Sequence, residues 1–192
     1  MKTLAFGAFA LAMLAGSAAA AQDQNFGPAI PGVCVYHHDR LLAQSTAGQS
    51  VQAGMQRIKQ EVDAELAPFE QFAQSEIQAL QQGRGTIPQD QFTQREQALN
   101  ARVQEARQLA QTRDNELRYT QAMQLQQITQ AADPIVLALY TERGCGILIS
   151  RESVLRVNPS MDITEAAIQR VNAALPSLSF NRMPVPAQQP AQ

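Results

Sequence analysis

Two short β-like stretches, VCVYH at residues 33–37 and GILIS at residues 146–150, enclose a glutamine-rich segment with a helical pattern over residues 49–132. This order decides the fold, because a strand, a long helical segment and a second strand bring both ends of the helical segment to one sheet. Two glycines and a proline interrupt the segment at residues 83–88. We therefore predict an α+β fold in which a long antiparallel helical hairpin projects from a small β body.

The two arms of the hairpin each carry one apolar stripe. In the first arm, apolar residues recur at steps of three and four: Val51, Met55, Ile58, Val62, Leu66, Phe69, Ala73, Ile77 and Leu80. Pro68 predicts a bend, because proline removes a backbone hydrogen bond. Arg113 and Thr120 break the stripe of the second arm. The seam is thin and partly polar, so we expect the arms to pair as a coiled coil but to stay flexible.

The remaining segments predict a small β/α body, formed by residues 33–48 and 133–180. It contains the two strands, a third strand at residues 154–157 and a last amphipathic helix from about Asp162. Residues 22–32 form an N-terminal lead, and residues 181–192 form a Pro/Gln tail that we expect to be disordered. A body of this size is too small to be stable alone, so either a disulfide or oligomerisation completes it. We predict a homo-oligomer built around Val33, Val35, Ile147, Leu148, Ile149 and Val154.

Residues 1–21 have the pattern of a secretory signal peptide, with cleavage expected near Ala20 or Ala21. The alternative is an uncleaved membrane anchor, but the apolar run is shorter than the ~20 residues that a span needs. We therefore expect an exported protein. Its two cysteines, Cys34 and Cys145, then predict a disulfide that closes a loop of about 110 residues. Chain-entropy theory gives such a bond about 4–5 kcal/mol of stabilisation. The alternative is two reduced, apolar cysteines.

Composition and motifs argue against several functions. The chain has a formal net charge of −2, so it lacks the excess of basic residues that a nucleic-acid binder needs. His37 and His38 are adjacent on a predicted strand, so they face opposite sides and cannot chelate one metal together. The sequence contains no nucleophile elbow, no nucleotide-binding glycine-rich loop and no Cys-x-x-Cys. We predict no enzyme and no cofactor.

The C-terminal half of the body resembles the signature of the Skp/OmpH family of periplasmic chaperones. In RGCGILISRESVLRVNPSMDITEAAIQRVN, a glycine leads into an apolar strand, a second strand, an Asn-Pro-Ser turn and an Asp-Ile-Thr helix start. The matching residues are Gly144, Ile147, Leu148, Ile149, Val154, Asn158, Pro159, Ser160, Asp162, Ile163 and Thr164. Leu66-Ala67-Pro68 resembles a Phe-Ala-Pro of the first arm in that family. The resemblance covers about residues 32–175.

The resemblance implies a homotrimer whose pooled strands form a small β-barrel and whose six long helices form three tentacles. It further implies an ATP-independent periplasmic holdase that keeps unfolded outer-membrane proteins soluble, and it leaves peripheral lipid contact open. Five residues are candidates for contact with such a client: Met55, Phe69, Phe72, Phe92 and Met123. The alternative for them is the seam between the arms, although Phe72 and Met123 lie off the main stripe. The alternative function is a structural coiled-coil spacer or adaptor that binds one specific folded partner.

Overall fold

The computed structural model describes residues 26–186 of the 192-residue chain. The order of elements is β1 (Val33–Tyr36), α1 (His38–Gln44), α2 (Thr46–Gln82), α3 (Gln89–Glu142), β2 (Ile147–Ser150) and α4 (Thr164–Ala174). Two short 3-10 turns, Arg151–Ser153 and Pro159–Met161, lie between β2 and α4. The predicted signal peptide lies outside the described residues.

The two strands pair in parallel at the foot of the hairpin, in a register that runs from Val33 opposite Ile147 to Tyr36 opposite Ser150. The connection between them is the whole helical hairpin, so one small sheet holds both of its ends. Gly32, at φ 76°, turns the chain into β1 and accepts a hydrogen bond from the backbone N–H of Ile147 at 3.0 Å. The predicted α+β fold, a helical hairpin on a small β body, is confirmed.

The predicted third strand at residues 154–157 is wrong for the single chain. Within the described part of the chain the sheet has two strands, and the backbone after β2 turns through Arg151–Ser153. The second edge of β1 is already used: Val35 forms a parallel bridge with Asp162, and its carbonyl accepts a hydrogen bond from Ile163 at 2.9 Å. Residues 154–157 therefore have no edge of β1 to pair with, and they form no ladder with the free outer edge of β2.

The arms are long. Helix α2 has 37 residues and α3 has 54, which corresponds to about 55 Å and 80 Å at 1.5 Å per residue. Ser45 caps α2, since its Oγ accepts a hydrogen bond from the N–H of Gly48 at 3.1 Å. Helix α3 runs without interruption past residue 132, the predicted boundary between arm and body, through Pro134 to Glu142.

The hydrophobic core lies at the root of the hairpin. It joins β1, α1, the first turns of α2, the last turns of α3 and one face of α4: Cys34, Leu41, Ala47, Val51, Ile128, Ala132, Leu139, Cys145, Ile163, Ala167, Ile168 and Val171. Leu41, Ile128 and Val171 are completely buried, and each contributes roughly 1.5–3 kcal/mol by leaving water. The distal arms therefore extend from a small, well-packed root.

The chain beyond α4 differs from the prediction for the tail. Residues 178–183, which we call the strap, run in a non-helical path against α2 and α3, with side-chain and backbone contacts to both helices. Arg182 and Met183 are thus held on the arms, although composition alone predicts disorder from residue 181. The remainder of the predicted tail, residues 187–192, lies outside the described residues.

Candidate functional site

The root of the arms is closed by a disulfide between Cys34 in β1 and Cys145, just before β2. The two Cα atoms are 5.7 Å apart, the sequence separation is 111 residues, and both side chains are buried. The bond lies in the core beneath both arms. It therefore covalently links the strand that precedes the hairpin to the turn that follows it.

The six residues proposed for an oligomer core do not form one buried cluster in the single chain. Val35 is buried, while Val33, Ile149 and Val154 are half-buried and line a cavity of about 240 Å³ beside the N-terminal lead. In contrast, Ile147 and Leu148 are 57% and 37% exposed. Consecutive residues of a strand point to opposite faces, so each face of β2 keeps one apolar side chain partly in contact with solvent.

The five candidate client residues are distributed along the arm. Met55 packs against the core at the root. Phe69 lies between the arms with the Arg102 guanidinium 4.1 Å from its ring centre, a cation–π contact. Phe72 is 39% exposed, whereas Phe92 and Met123 are half-buried. Of the five, Phe72 is the most exposed and therefore the most accessible to a ligand.

An apolar groove of about 280 Å³ lies between the arms beyond the root. Leu66, Phe69 and Ala73 line it from α2, with Glu70 at its edge, and α3 contributes Val103, Ala106, Ala110 and Arg107. The alanines on α3 are too short to fill the space opposite Phe69. The thin seam seen in the sequence therefore becomes a groove that can accept an apolar side chain of another polypeptide.

A cluster of ion pairs joins both arms to the strap. Arg113 donates to Glu65 at 2.7 Å and to Glu116 at 3.0 Å, and Arg182 lies 2.8 Å from Glu65 and 3.0 Å from Glu116. A hydrogen bond from Arg182 is the largest cause that lowers the pKa of Glu65 below its ordinary value; burial opposes it, and a hydrogen bond from Arg113 adds to the lowering. The same two carboxylates hold the pKa of Arg113 above its ordinary value.

Thr120, the second residue that breaks the apolar stripe of α3, is completely buried. Its hydroxyl donates to the Glu116 carbonyl at 2.7 Å and accepts from the backbone N–H of Met183 at 2.8 Å. Gln124, one turn further, is 3% exposed and contacts the Met183 sulfur at 3.8 Å. Sequence reasoning missed this site, although the polar interruptions at Arg113 and Thr120 were its signal.

The histidines lie in different environments. His38 contacts the Tyr36 hydroxyl at 3.0 Å and Thr129 at 3.2 Å, while His37 pairs with Glu152 at 3.0 Å. Burial, with a smaller effect of the Asp133 charge, raises the pKa of Tyr36 to about 12. Between residues 26 and 186, no three metal-ligating side chains come together, and no helix combines the length and apolarity of a membrane span.

Two long helices paired over an apolar groove and rooted in a small disulfide-closed body define the class of helical-hairpin, coiled-coil arm proteins. Within that class, the chain belongs to the OmpH-like family: the family model described as "Outer membrane protein (OmpH-like)" matches residues 32–171. The resemblance found in the sequence is thereby confirmed.

The crystal structure of a candidate outer membrane chaperone (OmpH-like) from Caulobacter crescentus CB15 is similar to this chain. The TM-score is 0.74 at 32% sequence identity, and the alignment covers 85% of this chain and 96% of the other. No protein of curated function matches the sequence. Family membership and this neighbour support a chaperone role.

Proposed function

We propose that the protein is an ATP-independent periplasmic holdase that binds unfolded outer-membrane β-barrel proteins and keeps them soluble until they reach the outer membrane. The observation that carries this proposal is the open apolar groove between two helices of 37 and 54 residues, which extend far beyond the packed root. An unfolded client needs a large surface with weak apolar contacts rather than one deep pocket.

The proposal includes assembly into a homotrimer through the body. A two-stranded sheet is marginal by itself, and the outer edge of β2 has no neighbour within the described residues. Ile147 and Leu148 on this strand, and Leu155, which is 98% exposed, leave apolar surface in contact with solvent. Copies of the chain that pair through β2 would cover this surface and place several arms around one space.

Contacts with the client are expected to be numerous and individually weak. Phe72 is exposed, and Phe69 and Leu66 line the open groove. Most other exposed positions of the arms are glutamine, arginine or acidic residues, which are polar without a strong net charge. Such a surface suits a client that has to be released before it folds.

A coiled-coil spacer that recognises one folded partner is the second candidate. The observation in its favour is that ion pairs cross between the arms, Arg95 with Glu76 at 2.5 Å and Arg113 with Glu65 at 2.7 Å. Ion pairs between the two arms stiffen the hairpin, as a spacer of fixed length requires. Promiscuity separates the two functions, since a holdase protects several unrelated unfolded barrels and a spacer protects none.

The test is light scattering of several urea-unfolded outer-membrane barrel proteins, diluted with and without the chain from residue 22. The expected result is a soluble complex in which about three chains hold one client. The informative variant replaces residues 66–110 by a short glycine-containing turn, which removes the groove and the distal arms and leaves the root and the strap contacts of Glu65, Arg113 and Glu116 in place. This variant is expected to stay oligomeric and to let the clients precipitate. Equal protection by the shortened chain would contradict the proposal.

A further inference from the structure

The strap alternates between the arms and solvent. Leu178, Phe180 and Arg182 are half-buried, while Ser179 and Asn181 between them are exposed. In an extended chain, successive side chains point to opposite sides, so every second residue meets the same surface. The strap therefore lies on the arms as a strand lies on a core, although it forms no sheet with them.

The arms bind the strap largely through its main chain. The backbone N–H of Leu178 donates to Ser50 Oγ at 2.8 Å, and the Phe180 carbonyl accepts from Arg57 at 2.6 Å. Further along, the N–H of Met183 donates to Thr120 Oγ1 at 2.8 Å. Every polypeptide except at proline has these backbone groups, so this part of the recognition is independent of sequence.

Two features of the arms meet the strap's side chains. Gly54 of α2 forms a notch for the Phe180 ring, since a Cβ on Gly54 would lie 2.6 Å from Cζ of that ring. The carboxylates of Glu65 and Glu116 receive the cation of Arg182. Nη1 of Arg182 is buried without a hydrogen-bond partner among residues 26–186, so the fit is incomplete.

We propose that the surface under the strap, lined by Ser50, Gly54, Arg57, Glu65, Glu116 and Thr120 and called the strap site below, binds extended polypeptide with apolar or aromatic side chains at alternate residues and a basic side chain at the end over the two carboxylates. The strap occupies it in cis. The proposal deepens the proposed function and rests on it, because strands of outer-membrane barrels carry apolar residues with this period of two. A client strand takes the strap's place, and the vacated strap moves away from the arms.

Exchange between strap and client is physically reasonable. Tethering gives the strap an effective concentration on the order of millimolar, so a single free peptide competes poorly with it. A long unfolded client binds at several points, including the groove between the distal arms, and therefore competes at a similar effective concentration. The unpaired Nη1 of Arg182 limits how tightly the strap is held.

The first experiment compares two truncated chains that begin at residue 22. One ends at Ser177 and lacks the strap, and the matched control ends at Pro186 and keeps it. The probe is a fluorescein-labelled peptide of residues 176–186, followed by fluorescence anisotropy. We expect the strapless chain to bind it at least ~10-fold more tightly than the control, because the tethered strap blocks the site. No binding to a folded strapless chain would overturn the proposal.

Two further variants test the geometry. A peptide with Phe180 and Asn181 exchanged has the same composition but breaks the alternation, and it should bind ~10-fold more weakly. Gly54→Leu in the strapless chain fills the notch and should cause a similar loss. If the strapless chain does not fold, Arg182→Glu in the full chain weakens the strap by charge repulsion, and the labelled peptide should then bind to it. Equal binding of the native peptide and the peptide with Phe180 and Asn181 exchanged would overturn the proposal.

The last step adds a urea-unfolded outer-membrane barrel protein as competitor. Displacement of the labelled peptide from the strapless chain is expected. A second outcome is that the client fails to displace the peptide while the control chain still keeps that client soluble. In that case the strap site binds the strap alone, and this inference is overturned. The proposed function then still stands. Precipitation of the client with the control chain would instead contradict the proposed function. Light scattering measures this precipitation, and fluorescence anisotropy separately measures peptide binding.

Discussion

Nη2 of Arg182 lies 2.8 Å from Oε1 of Glu65, so the segment that follows the last helix is tied to the middle of α2. Through Glu116, whose carboxylate contacts both Arg182 and Arg113, the same cluster reaches α3. The strap thereby bridges the two arms on the body side of the open groove, which begins at Leu66. This arrangement divides the hairpin into a strapped root and a free distal part.

Loss of the Arg182 side chain should destabilise the root slightly. Arg182→Gln removes two ion pairs, but Glu65 and Glu116 keep Arg113 as a partner, so we expect the free energy of unfolding to fall by about 1 kcal/mol. Urea unfolding followed by circular dichroism measures the change. The matched control is Arg118→Gln, which removes an exposed pair with Asp114 within α3 and should leave the midpoint unchanged. Equal effects of both variants would contradict a specific role for Arg182.

Strap docking should weaken in acid. Arg182 and Arg113 lower the pKa of Glu65 from 4.5, so the docked state favours the carboxylate. Docking is therefore fully supported above about pH 4.5 and weakens as the pH falls through the lowered pKa of Glu65. Glu116 is the other acidic group facing both arginines. The methyl signal of Met183 in NMR spectra reports the strap, and Glu65→Gln should reduce its pH dependence. A titration unchanged by this substitution would contradict the assignment.

Reduction of the disulfide should destabilise the root without unwinding the arms. The bond between Cys34 and Cys145 closes a loop of 111 residues, and the expected loss in free energy of unfolding is about 4 kcal/mol. Urea unfolding of the oxidised and reduced chains measures it. Because the sequence has only these two cysteines, the reductant acts on this bond alone. An unchanged midpoint would show that the packing of the root suffices.

Leu148→Asp should dissociate the proposed trimer while the single chain stays folded. Leu148 is 37% exposed in the single chain, so a carboxylate there keeps contact with water until a second copy covers it and removes that contact. Light scattering measures the mass in solution. The control is Ile77→Asp, an equally drastic change at a 45% exposed position on the arm, and it should leave the mass unchanged. A trimeric Leu148→Asp chain would place the interface elsewhere.

The order of patterns along the chain was enough to determine the main architecture. Apolar residues recur every second residue in the two strands and every third or fourth residue in the helical hairpin. These periods are local properties of the backbone, so the sequence alone reveals them. The proximity of the two strands and of the two cysteines was expected from chain order, because a hairpin returns the chain to its starting point, whereas the register of Val33 opposite Ile147 and the bond between Cys34 and Cys145 are seen in the structure.

Only the tertiary structure decided the conformation of residues 154–157 and the position of the tail. A stretch such as residues 154–157 becomes a strand only if its backbone pairs with a sheet edge: Asp162 occupies the edge of β1, and after the turn at Arg151–Ser153 the chain does not pair with the outer edge of β2. The tail was assigned by composition, but its position depends on the Gly54 notch, the Thr120 hydroxyl and the Glu65 carboxylate, which are far apart in sequence. These contacts arise only after the arms have paired, since no local pattern specifies a surface built from two helices.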